Sequence, residues 1–295
     1  MSVSLDDIGA RITDGAQLTG EDARALSSTY DIVSLGMMAD EVRRRRHGRQ
    51  TTFLRVAEVP VDAPMTDITS WPAAASEIRL VGRVADLEQS RALVASLASR
   101  TGGTVSGFSL GDIALACDGD ASRVEQWLRT LGAAGLATIA EAPIDLLSDP
   151  IAMVRAAEAA GVPAARITVD AHGTDGVLAT IERLQPLVSA GLVSTVAPLP
   201  RRPTAEPTTG YTDVKAVALA RILLDVPHVQ VDWSLHGPKL AQVALTFGAD
   251  DVDNVSPLDE IAEGRRRAPL EEIRRNIRAA SLDPVERDAR FAVLE

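Results

Sequence analysis

What most constrains this chain is a rhythm. Between residues 51 and 255, short β-branched or apolar runs recur, with starts about 24 to 34 residues apart. That spacing suits a strand plus a crossover helix. It predicts strands over Thr51–Val59, Glu77–Gly82, Thr104–Ser109, Leu136–Ile139, Arg166–Asp170, Ser194–Leu199, His228–Asp232 and Val252–Val255. The runs are nearly all apolar, as expected when helices cover a parallel sheet. Between them lie helical stretches. "ADLEQSRALVASLASRTGG" ends on glycines, and "DASRVEQWLRTLGAAG" sets Val124, Leu128 and Leu131 on one face. "DGVLATIERLQPLVSAG", "TDVKAVALARILLD" and "GPKLAQVALTFGA" have the same spacing. Eight strand–helix units predict an α/β fold, a closed (β/α)8 TIM-type barrel over residues 51–295. An open doubly wound sheet fits less well, because no G-x-G-x-x-G follows the first strand. No break in composition marks a further domain, and the tail reads as a last helix followed by an extended end.

Residues 1–50 read as an N-terminal helical extension. Ser4 with Asp7, and Thr19 with Asp22, have the spacing of helix N-caps. "DIVSLGMMADEVRRRRHG" is a longer helix stopping at Gly48. Its basic run, Arg43–Arg49, reads two ways: as a phosphate-binding patch, or as cations solvated at the negative end of a helix dipole.

Hydrophobic residues make up 46% of the 295, but aromatics only 3%, so the core must be aliphatic. Forty-one acidic residues against thirty basic ones leave a formal charge of -11. That disfavours a non-specific grip on nucleic acid or an anionic membrane. No apolar run reaches the ~20 residues a membrane helix needs. "MSVSLDDIGARITDG" lacks the basic and apolar regions of a signal peptide, so a cytoplasmic location is expected. The one cysteine, Cys117, excludes an intrachain disulfide and a thiolate cluster, and its apolar setting reads as structural.

In such a barrel, ligands bind over the C-terminal ends of the strands. Position therefore selects Glu58 and Asp62, Arg83, Ser106 and Ser109, Glu141 and Asp145, Asp170 and His172, Arg201 and Arg202, Asp232, Trp233 and His236, and Asp253 and Asn254. Asp170, His172 and His236 are the candidates for acid–base catalysis, which needs one group near neutral pKa in a cleft. The same histidines could instead hydrogen-bond their own loops. No H-x-H or H-E-x-x-H frames them, so neither a metal nor another cofactor is expected there. In "PLPRRPT", two arginines held between prolines suit a carboxylate or phosphate, or else a salt bridge to Glu206. Thr212 is a plausible cap for the next helix.

These residues carry a resemblance. "GYTDVKAVALARILLDVPHVQVDWSLHGPKLAQVALTFGADDVDNV" resembles the C-terminal half of the menaquinone-pathway radical S-adenosylmethionine enzymes, aminofutalosine synthase and dehypoxanthine futalosine cyclase; the deazaflavin-cofactor synthases are close by. "ITVDAHGTDG" and "VSTVAPLPRRPT" are similar to that family's fifth and sixth strand segments, and the two N-terminal helical stretches to its lead-in. The resemblance implies substrate contacts at His172, Thr174 and Asp175. It would also imply a four-iron cluster held by C-x-x-x-C-x-x-C after the first strand, yet "RVAEVPVDAPMTDITSW" has no cysteine. Thiolates are what hold such a cluster. The family's Gly-Gly motif after strand two reads "LVGRV" here, with Arg83 in place of the second glycine. Its glycine-rich fourth segment is replaced by "TIAEAPIDLL", and the histidine of "DAHGTDG" precedes its glycine instead of following it.

Three roles are compatible with this pattern. One is a cluster-free accessory or ligand-binding component of menaquinone biosynthesis by the futalosine route, which would meet a pathway enzyme and a small molecule with a carboxylate or nucleoside group. Another is a non-radical lyase, hydrolase or isomerase acting on a futalosine-like or aryl-carboxylate substrate. The third is a homodimeric barrel sharing only the fold.

Overall fold

A computed structural model describes residues 4–62, 71–83, 86–172, 176–201, 209–261 and 266–294. Three helices lead in: α1 (Leu5–Asp14), α2 (Gly20–Ser28) and α3 (Ile32–His47). The repeating part runs β1 (Gln50–Pro60), β2 (Glu77–Val81), α4 (Leu87–Ala98), β3 (Thr104–Ser109), α5 (Leu110–Ala116), α6 (Ala121–Ala133), β4 (Thr138–Pro143), α7 (Pro150–Ala159) and β5 (Ile167–Val169). It continues with α8 (Gly176–Ser189), β6 (Thr195–Pro200), α9 (Gly210–Leu223), β7 (His228–Asp232), α10 (Trp233–Leu245) and β8 (Asp251–Val255), then α11 (Pro269–Ala279) and β9 (Asp283–Glu286). The first eight strands are hydrogen-bonded in sequence order, and β1 pairs with both β8 and β2, which closes a (β/α)8 barrel of parallel strands.

The expected caps are present. The Ser4 side chain accepts from Asp7 N–H, and Thr19 and Asp22 form a reciprocal capping box. Two boundaries differ from the sequence reading for local reasons. Strand β4 starts at Thr138 instead of Leu136, because Leu136 N–H still bonds Leu131 C=O, closing α6 through Gly135 at φ +112°. Helix α9 is capped by Thr209, whose hydroxyl accepts from Thr212 N–H, so Thr212 lies inside the first turn. Strand β9 was foreseen only as an extended tail. Since β2 joins β1 only from Val56 onward, the earlier edge of β1 is open. Asp283 N–H and Arg287 N–H fill it by bonding Arg49 C=O and Phe53 C=O.

The contacts gather into two compact units. One comprises Met1–Thr52, Val169–Val252 and Arg275–Pro284. Its core is aliphatic, with Ile8, Leu26, Leu35, Val217, Leu219 and Ile277 all fully buried. Here α3 packs against α9, and Gly36 admits the Phe247 ring. The other unit comprises Phe53–Thr168, Asp253–Arg274 and Val285–Glu295, built around Leu97, Leu110, Leu128, Leu131, Ile139 and Ile273. Burying each such side chain stabilises by about 1.5–3 kcal/mol.

One glycine in the first unit is obligatory. Gly248 has φ +101°, and an added Cβ would meet Arg221 Cβ at 2.9 Å and Ala39 Cβ at 3.1 Å. The close approach lets Arg221 Nε donate to Gly248 C=O at 2.8 Å. Gly248→Ala should therefore destabilise by about 1–3 kcal/mol, seen as a lower urea midpoint with an unchanged slope.

Candidate ligand site at the strand ends

Within the second unit, strand alternation puts Glu77 and Arg79 on one face of β2. Both are buried, where apolar residues are the rule. Register sets Ser106 of β3 beside Arg79 and Thr138 of β4 beside Ser106. Arg79 Nη1 and Nη2 donate to the two Asp253 oxygens at 2.8 and 3.0 Å, while its Nε donates to Glu77 Oε1 at 2.7 Å. Ser106 Oγ donates to the same Glu77 oxygen at 2.5 Å, and Arg166, just before β5, donates to Asp253 Oδ2. Two cations and two carboxylates thus share a dry space. Burial alone would raise the Asp253 carboxyl, but the Arg166 and Arg79 guanidiniums hold it far below the usual carboxylate range. Conversely, burial would lower Arg79, and Asp253 and Glu77 push it above its ordinary value. The hydroxyls of Thr138 and Thr168 are buried without a hydrogen-bond partner.

Further along these strands, Asn254 sits at φ +59°, a conformation that asparagine tolerates, and its Nδ2 donates to Glu58 Oε1 at 2.9 Å. Glu141 is half-buried in register with Ser109, whose hydroxyl accepts from Gly111 N–H to cap α5. Asp145 is half-buried in a 3-10 turn over Ile144–Leu146. Asp62 is exposed. Arg83 reaches outward to Asp112 at 3.2 Å with three quarters of its side chain in solvent, away from any enclosed site.

Within the first unit, the ends of β5, β6 and β7 carry the remaining candidates. Asp170 and His172 are half-buried, and His172 Nδ1 lies 3.3 Å from Thr180 Oγ1. Arg201 Nη1 donates to Asp232 Oδ2 at 3.3 Å. Asp232 is also the N-cap of α10, its Oδ1 accepting from Leu235 N–H at 2.9 Å, and Trp233 is buried beneath it. Gly237, at φ +77°, breaks α10 so that Trp233–His236 forms a separate turn and Pro238 opens the next. That break aims His236 Nε2 at Pro200 C=O, 3.1 Å away, while its Nδ1 is buried without a hydrogen-bond partner. Thr174, Asp175 and Arg202 lie outside the described residues, as does Glu206.

Position alone did not find Glu77, Arg79 and Arg166. The available signal was a charge pair at i, i+2 inside the apolar run "EIRLV". The cluster of His47, His228 and Asp250 at the opposite strand ends was missed as well, since its members are distant in sequence. The basic run resolves toward structure: Arg43 and Arg44 bond Asp40, Arg45 bonds Glu41, Arg46 bonds Asp225 and Val226 C=O, and Arg49 bonds Asp283. Cys117 is buried, and burial raises its thiol. A lone thiol cannot supply the three sulfurs of a four-iron cluster, so the donor set does not fit one.

Comparison with known proteins adds a class. No family model matches the chain. Over 46 residues it is 52% identical to aminodeoxyfutalosine synthase of Streptomyces coelicolor, a stretch that is 15% of this chain and 12% of that protein. Over 47 residues it is 47% identical to the Thermus thermophilus protein of the same name, 16% and 13% of the two chains. Solved structures share the fold at low identity. Methylornithine synthase aligns with a TM-score of 0.68 at 15% identity over 95% of this chain and 97% of its own. The FeFe-hydrogenase maturase HydG from Carboxydothermus hydrogenoformans aligns at 0.67 and 13%, over 95% and 79%. Fold and short matches link the chain to the radical-S-adenosylmethionine-like superfamily. Among the described residues no helix is long and apolar enough to cross a membrane.

The Asp253 cluster makes a pH prediction. A carboxyl depressed in the folded state stabilises fully above its unfolded pKa of about 3.9, and that contribution is lost as pH falls below it. Asp253→Asn should cost about 3–5 kcal/mol at neutral pH, since two buried guanidiniums lose their shared anion. In denaturant melts, the variant's stability should also fall less steeply than the parent's below about pH 4.

Proposed function

We propose that this protein is a cluster-free, ligand-binding member of the radical-S-adenosylmethionine-like group, serving menaquinone biosynthesis by the futalosine route as an accessory component. One observation carries the reading. The acid–base candidates whose bonds are described are already engaged, His236 with Pro200 C=O and His172 with Thr180, and beside them Asp232 caps α10 and holds Arg201. Groups so engaged suit holding a ligand's polar edge more than shuttling protons. The futalosine context is supported by the short segments shared with the two aminodeoxyfutalosine synthases. The ligand is a small molecule with a carboxylate or nucleoside group, met by Arg201 and Asp232, and the protein partner is an enzyme of the same route.

A second reading has its own support. His236 Nδ1 is buried and unpaired, which leaves one imidazole nitrogen for proton transfer in a non-radical lyase, hydrolase or isomerase.

Titration of the purified chain with an aminodeoxyfutalosine-type nucleoside, followed by native mass spectrometry, tests both readings. Binding without chemical change, weakened about tenfold or more by Arg201→Ala, is the expected result; a bidentate charge-assisted contact is worth at least that much. Turnover abolished by His236→Gln would transfer the assignment to the enzyme. Stoichiometric iron and sulfide after anaerobic reconstitution would refute both.

A further inference from the structure

At the N-terminal ends of the strands, away from the candidate ligand site, three metal-ligating side chains of the first unit converge. His47 is the last residue of α3, His228 the first of β7, and Asp250 immediately precedes β8. Their ligand atoms all lie within 4.8 Å of one another. Asp250 Oδ2 is 2.6 Å from His228 Nδ1 and 3.3 Å from His47 Nε2. The two rings stack with centroids 5.2 Å apart and planes 29° from parallel. The geometry points to a transition-metal site of the zinc class, with His47, His228 and Asp250 as its protein ligands.

The distances suit such an ion. With metal–ligand bonds of about 2.0–2.1 Å, the edges of a tetrahedron are about 3.3 Å. The His47–Asp250 separation already has that length. The His228–Asp250 contact is a hydrogen bond, and it must open by several tenths of an ångström as the metal replaces the shared proton. Pro227 C=O, 2.8 Å from His47 Nε2, now occupies that nitrogen and would give it up to the metal. Two neutral imidazoles and one carboxylate make a borderline donor set, suited to zinc or cobalt and poor for magnesium or calcium.

The surroundings orient the carboxylate as metal sites require. Asp250 Oδ1 accepts from Val229 N–H at 2.8 Å and from Arg221, which is itself fixed on Gly248 C=O at 2.8 Å. Oδ2 is thereby left to face the two rings. The neighbouring cations have other anions: Arg46 bonds Asp225, and Arg43 bonds Asp40. The Asp250 side chain is 1% exposed but those of His47 and His228 are 17% and 19%, which leaves an ion a way in. A bound ion would tie the end of α3 to the starts of β7 and β8, at the face where barrels are held together and not where they react.

The test uses the untagged full chain, stripped with a chelator and titrated with Co²⁺ by calorimetry and visible absorption. One equivalent should bind, Zn²⁺ should displace it, and the melting temperature should rise with Zn²⁺. His47→Ala and His228→Ala should each weaken binding at least tenfold. His47→Gln and His228→Gln retain a hydrogen-bonding side chain, so loss of binding with an unchanged circular dichroism spectrum supports the site even if the alanine variants unfold. A folded parent chain that takes up no stoichiometric Co²⁺ overturns the proposal. So does binding that survives both His47 substitutions.

Discussion

Asp253 sits between two guanidiniums where solvent does not reach, and the second unit's polar interior is arranged around that fact. Removing two arginines from water costs several kcal/mol each unless their charge is met. Asp253 meets Arg79 with both oxygens and Arg166 with one, and Glu77 accepts from Arg79 Nε. Each member is a partner to another, so removing one leaves a buried charge unmet. Barrels of this type usually fill with Val, Ile and Leu, which pack without directional demands. Here directional bonds fix the interior instead, and residues on β2, β3 and β8 must keep register for the donors to meet their acceptors.

The same polarity extends to the strand ends. The fold is shared with methylornithine synthase and the hydrogenase maturase HydG, and this chain carries one thiol, Cys117, buried at the C-cap of α5. The strand ends are polar: Glu58 bonds Asn254 in one unit, and Arg201 bonds Asp232 near His236 in the other. Recognition needs only such fixed donors and acceptors. A four-iron cluster needs several thiolates, and one cysteine cannot provide them.

Much of the fold was legible because its signals are local and redundant. Eight apolar runs at crossover spacing specify the barrel, and Ser4, Thr19 and Gly48 mark helix ends by side-chain or backbone rules that need no tertiary knowledge. The errors fall where a tertiary bond decides. Leu136 belongs to the close of α6, and β9 exists because β2 leaves part of β1 uncovered. For the site, position at strand ends selected residues that do face one another, such as Arg201 and Asp232. It could not see Arg79 or Arg166, which lie before the strand ends, and the Glu77–Arg79 pair within an apolar run reads equally well as a strand edge. Nor could it join His47 to His228 and Asp250, whose approach depends on α3 docking against the strand starts.

The basic run in α3 shows how composition misleads when pairing is ignored. Five arginines and a histidine within Arg43–Arg49 look like a place for phosphate, and helix-dipole arguments favour cations there in any case. Yet Arg43, Arg44 and Arg45 have acceptors on their own helix, and Arg46 and His47 reach the segment before β7. Their contacts, 2.9 Å for Arg43, 2.6 Å for Arg44, 2.9 Å for Arg45 and 2.5 Å for Arg46, would have to break before an anion could bind, whereas Arg201 holds Asp232 only at 3.3 Å. What the run supplies is a rigid helix end. That rigidity holds the His47 imidazole beside Asp250, where a loose helix terminus would let it swing into water.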